Sequence, residues 1–86
     1  MMGTLIELTG RSGLEFYYVE IEVGAGVLVV QSPAELIKTV TRRIFWDRVT
    51  DLLFEQNRLT FSYEQEQYTF VDYGNGVLNY LSKQLA

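Results

Sequence analysis

A chain of 86 residues has material for one domain and one core, and with 48% apolar and 14% aromatic residues it is far from a disordered composition. Its net charge of −4 disfavours a free nucleic-acid binder, which needs a basic footprint on the phosphates. The absence of histidine and cysteine removes the commonest zinc ligand, the commonest general base, any thiolate nucleophile and any disulfide, so neither cofactor nor catalytic activity is expected.

In chain order, Thr4–Leu8 is a short apolar run closed by the turn-forming Thr9-Gly10-Arg11-Ser12-Gly13. Leu14–Val23 is the best strand pattern in the sequence. Tyr17, Val19, Ile21 and Val23 share one face, while Phe16, Tyr18, Glu20 and Glu22 share the other. Gly24-Ala25-Gly26 supplies a tight reversal, and the β-branched run Val27–Gln31 returns alongside to complete a hairpin.

Ser32-Pro33-Ala34-Glu35 carries the signs of a helix start: a Ser cap, Pro at the first helical position and Glu three residues after the cap. A helix is therefore predicted from Pro33, with Leu36, Ile37, Val40 and Ile44 within about 100° as its core stripe. Beyond Ile44 the apolar stripe moves to Phe45, Val49, Leu52 and Leu53, roughly 120° around the cylinder, so residues 33–56 read as one kinked helix or two helices with Trp46 near the seam. Asn57 would end the second half in a left-handed conformation.

Leu59, Phe61 and Tyr63 alternate with polar residues, Glu64-Gln65-Glu66-Gln67 interrupts, and Tyr68–Val71 resumes as a second hairpin; a helix over 57–68 is the rival. After Gly74-Asn75-Gly76, residues Val77, Leu78, Leu81 and Leu85 form one face of a short terminal helix. The expected fold is a single α+β domain over residues 1–86. Its small antiparallel sheet comes from two hairpins, with the first run as a further candidate strand, and the helix of about 33–56 and the terminal helix pack on one face.

Candidate sites are few. Glu20 and Glu22 point the same way about 7 Å apart, a workable acid/base spacing, but glutamates on an outer strand face are ordinary solvated residues. On the predicted helix Asp47, Asp51 and Glu55 would form a carboxylate row, more simply explained by pairing of Arg43 with Asp47 and Arg48 with Asp51 than by a metal. The two glycine clusters lack the spacing of phosphate loops. Charge is segregated: residues 1–37 hold five acids and only Arg11, whereas Lys38, Arg42, Arg43, Arg48 and Arg58 make the middle basic.

That basic stretch, with Phe45 and Trp46 in it, would suit unpaired bases if its members converged, but Arg42 and Arg43 stand about 100° apart on a helix. Glu7, Glu15, Glu20 and Glu22 would conversely suit an acidic decoy of the kind small phage inhibitors use. Phe16 and Tyr18 stand out as large aromatics on a polar face, either covered by the terminal helix or offered to a partner. The expectation is a non-enzymatic protein-interaction or regulatory module, homodimeric and cytoplasmic, with Phe16, Tyr18, Glu20, Glu22, Arg42, Arg43 and Trp46 as candidate contacts. The expected partner is a protein of unknown identity, not a membrane or a nucleic acid. Mimicry of nucleic acid on behalf of a phage or mobile element is the alternative.

Overall fold

The computed structural model describes residues 2–85 and is built mainly of strands. They are β1 (Met2–Gly10), β2 (Gly13–Gly24), β3 (Val27–Gln31), β4 (Thr41–Phe45), β5 (Thr50–Glu55), β6 (Arg58–Tyr63) and β7 (Glu66–Val71), followed by helix α1 (Val77–Leu85). They form one antiparallel sheet in the order β4-β3-β2-β1-β7-β6-β5, in which the two ends of the meander, β1 and β7, pair with Ile6 opposite Phe70. Pairing the first strand with the last curls the sheet into a half-barrel and leaves β4 and β5 as its edges.

The inner face collects the alternating apolar residues of every strand except β5. Ile6, Val19, Ile21, Leu28, Val30, Ile44, Phe61, Tyr68 and Phe70 are all fully buried, and Val77 and Leu81 of α1 close over them. The side chain of Leu85, expected on the same stripe, lies outside the described residues. Helix α1 is held at its start by Asp72, whose carboxylate accepts the Gly74 and Leu78 amides (2.8 and 3.3 Å), and by Asn75, which donates to the buried Thr4 hydroxyl (2.9 Å). Backbone amides bonded to its carboxylate, that of Gly74 foremost, hold the Asp72 pKa below the ordinary range.

Two side-chain contacts stitch the curl across its interior. Arg42 on β4 donates from Nε and Nη2 to the two carboxylate oxygens of Glu66 at the start of β7 (3.0 and 3.1 Å), and the Tyr68 hydroxyl donates to the same carboxylate (2.9 Å). Trp46 meets Phe61 edge-on, with ring centroids 5.3 Å apart. Apart from β5, these contacts commit the inner face to the core.

The helix expected over residues 33–56 does not form, and the two-hairpin sheet with helices on one face is replaced by the seven-stranded curl. Ser32-Pro33-Ala34-Glu35 makes a single turn, closed by the Leu36 amide on the Pro33 carbonyl (3.2 Å). The Ser32 hydroxyl does act as a cap, but it accepts the amide of Val40, eight residues on (3.0 Å), while the Ser32 amide donates to the Val40 carbonyl (2.8 Å). Ser32 thus closes a loop between β3 and β4. Leu36 and Ile37 are exposed, and of the expected stripe only Val40 and Ile44 are buried.

After the loop the period is two. Ile44 faces inward between outward-facing Arg43 and Phe45, and Trp46–Arg48 adds only a 3₁₀ turn. Asn57 lies in the β5–β6 turn without the left-handed conformation expected of it, and 57–68 is not helical. The carboxylate row therefore does not exist. Asp47 is in the 3₁₀ turn and Asp51 and Glu55 are on β5, Arg48 pairs with Glu64, and Arg43 has no acidic partner among the described residues. Within those residues there is also no group of three or more potential metal-ligating side chains.

Candidate functional site

The alternation of β2 that buries Val19 and Ile21 turns Phe16, Tyr18, Glu20 and Glu22 to the outer face of the sheet. Helix α1 packs on the opposite face, so among the described residues no helix covers the aromatics, and Phe16 is 57% and Tyr18 42% exposed. Register brings them company. Leu5 of β1 lies opposite Tyr18, Glu7 lies opposite Phe16, and Leu14 precedes Phe16 on the same face. A shallow recess of about 200 Å³ opens here, lined by Leu5, Ile6, Glu7, Phe16, Arg58, Val71 and Tyr73.

Tyr18 is held in a defined pose. Its ring lies over β1 at Gly3, where a Cβ would run into the tyrosine hydroxyl, so glycine at this position lets the aromatic lie flat on the neighbouring strand. Tyr73, 60% exposed, stands at the far wall of the recess. The lining also holds an ion pair, Arg58 with Glu7 (3.0 Å), which joins β6 to β1.

The remaining candidates divide between the two faces. Glu20 and Glu22 continue the outer face along β2, and Arg43 shares it two strands away, in the row where Glu22 opposes Val29 and Val29 opposes Arg43. Arg42 and Trp46 are half-buried on the inner side, engaged with Glu66 and Phe61, and contribute to the curl of the sheet rather than to its surface. Alternation along β4, not helical angle, is what parts Arg42 from Arg43. Of the four acids considered for an acidic decoy, Glu7 is paired with Arg58 and Glu15 with Lys38.

Sequence reasoning missed Leu5, Val71 and Tyr73, and placed Arg58 in a basic stretch and not beside Phe16. A signal for Leu5 was present: in Thr4-Leu5-Ile6-Glu7-Leu8 the buried Ile6 and Leu8 are out of phase with it, so a strand there must expose Leu5. Tyr73 follows the last strand, and its place beside Leu5 depends on the β1–β7 pairing, which no local pattern announces. Chemically the surface offers aromatic and aliphatic area with one balanced ion pair, suited to burying another apolar surface. The described helix is too short and too polar to cross a membrane. No protein family, curated protein or solved structure matches the chain.

Proposed function

We propose that this chain is a non-enzymatic protein-interaction module that works as a homodimer, two copies packing their outer sheet faces around Phe16 and Tyr18. The observation that carries this reading is the recess flanked by exposed rings. Protrusion and hollow belong to one patch, which is what an isologous two-fold interface requires. A cavity of about 150 Å³ with apolar walls accepts a benzene ring, so a recess of about 200 Å³ has room for an aromatic side chain of a second copy.

Area supports the same occupant. Leu5, Leu14, Phe16, Tyr18 and Tyr73 leave on the order of 500 Å² of side chain open, near the upper end for the largest apolar patch of a monomer. With the surrounding Glu7, Arg58 and Val71 the face approaches the roughly 800 Å² per partner of a standard interface. The Glu7–Arg58 pair can exchange partners across the two-fold without stranding a charge. A chain without cysteine suits a reducing compartment such as the cytoplasm. Acidic mimicry draws less support, since two of its four acids are already neutralised by bases.

Sedimentation equilibrium tests the proposal. The expected mass is near twice 9.9 kDa, and Phe16→Ser with Tyr18→Ser is expected to give a folded monomer with unchanged circular dichroism. Because both copies carry the change, four aromatics leave the interface, and at about 2 kcal/mol each association weakens on the order of a millionfold. A wild-type monomer at high micromolar concentration contradicts the reading.

A further inference from the structure

The two edges of the sheet are defended unequally. On β4 the edge carries Arg42 and Arg43, and the chain on either side is tied down by the Ser32–Val40 loop closure and by the Trp46 amide on the Gly26 carbonyl (2.9 Å). Natural sheets blunt their edges with such charges and covering segments. β5 has neither in its middle. It pairs only with β6, every one of its six residues is exposed, and among the described residues no hydrogen bond reaches its outer edge.

Three consecutive apolar residues fill that edge, Leu52, Leu53 and Phe54, each about half exposed at 50–53%. Leu53 lies opposite Thr60 on the outer face and Phe54 opposite the buried Leu59 on the inner face, so both faces of the strand are apolar and uncovered. The irregularity between Thr50 and Leu53, with Asp51 at φ 56°, confines the bulge to the start and leaves Leu53–Glu55 as regular ladder. An edge with unpaired amides and carbonyls and apolar side chains above and below is matched by an extended backbone.

We propose that β5 accepts an extended segment of a partner protein as an eighth strand, apolar in its middle and carrying Lys or Arg at both ends. The ends follow from charge: Asp51 and Glu55 flank the apolar stretch, neither is in an ion pair among the described residues, Arg58 opposite Glu55 being bonded to Glu7, and the chain as a whole carries −4. A second copy of β5 fits less well. Antiparallel self-pairing centred on Leu53 sets Asp51 against Glu55 at both ends, and like charges directly opposite are destabilising. This surface is separate from the outer-face patch, so its occupancy does not depend on dimerisation through Phe16.

The test uses the full chain, isotope-labelled for amide spectra, titrated with three peptides: acetyl-Lys-Thr-Val-Ile-Val-Lys-amide, the same peptide with Glu at both ends, and the basic peptide N-methylated at alternate residues. The expected result is saturable binding of the basic peptide with slowed amide exchange at Leu52–Glu55. The acidic-ended and N-methylated peptides should bind about tenfold or more weakly, because main-chain bonds give such complexes their affinity. Leu53→Pro should abolish binding and Phe16→Ser leave it unchanged; should Leu53→Pro fail to fold, the N-methylated peptide makes the same comparison on the wild-type chain. Equal binding of the N-methylated peptide, exchange changes confined to β1 and β2, or no binding at millimolar peptide would overturn the proposal. So would protection of β5 that rises with protein concentration alone, which would assign the edge to a second copy.

Discussion

Tyr18 can lie across β1 only because residue 3 has no side chain, and this makes Gly3 a test of how the outer face is built. Gly3→Ala is expected to leave the core intact but lift the tyrosine ring, which should appear as a changed Tyr18 ring environment in NMR spectra together with weakened self-association. On the inner side, Glu66 receives the Arg42 guanidinium, and this bond, aided by the Tyr68 hydroxyl, holds its pKa below the ordinary carboxylate value, while burial and then the bond to Glu66 push the Tyr68 pKa up. Because the Glu66 pKa is lowered on folding, the stability it supplies is fully present above the unfolded value of about 4.3 and is lost as pH falls through the folded value. Glu66→Gln is expected to cost about 1–2 kcal/mol at neutral pH, the pair being only part-buried, and the gap to wild type should narrow in denaturant titrations below about pH 4.

Among the elements, the hairpin β6–β7 turns in two residues, Glu64 and Gln65, which take φ of 48° and 69° although neither side chain favours that region. Gln65→Gly should relieve this and stabilise the chain by about 1 kcal/mol in thermal unfolding, the mirror of the usual glycine penalty. The five strands outside 33–56 were legible because alternation and turn residues are local: Val19 and Ile21 against Phe16 and Tyr18, or Phe61 against Thr60 and Ser62. Residues 33–56 were not, because Ser32 and Pro33 satisfy the chemistry of a helix start equally well when the serine bonds Val40, and the β-branched Thr39, Val40, Thr41, Val49 and Thr50 favour strands once cross-strand partners exist. Which use of Ser32 prevails is decided by β3, which offers β4 a full ladder from Val27 opposite Phe45 to Gln31 opposite Thr41.

For the molecule as a whole, the β1–β7 pairing curls the sheet, buries one face against α1 and leaves the other to the solvent. Leu5, Phe16, Tyr18 and Tyr73 stand exposed on that face, where the largest apolar patch of a monomer is often its interaction surface. Their assembly depends on β1 lying between β2 and β7, so the sequence exposed Phe16 and Tyr18 as candidates but not the patch around them. The most direct test of the homodimer is an isotope-filtered NMR experiment on an equal mixture of labelled and unlabelled chains, which detects only contacts between copies. The account predicts contacts from the Leu5 methyls of one copy to the Phe16, Tyr18 or Tyr73 rings of the other; a spectrum with no contacts between copies, or with contacts confined to Leu52, Leu53 and Phe54, would contradict it.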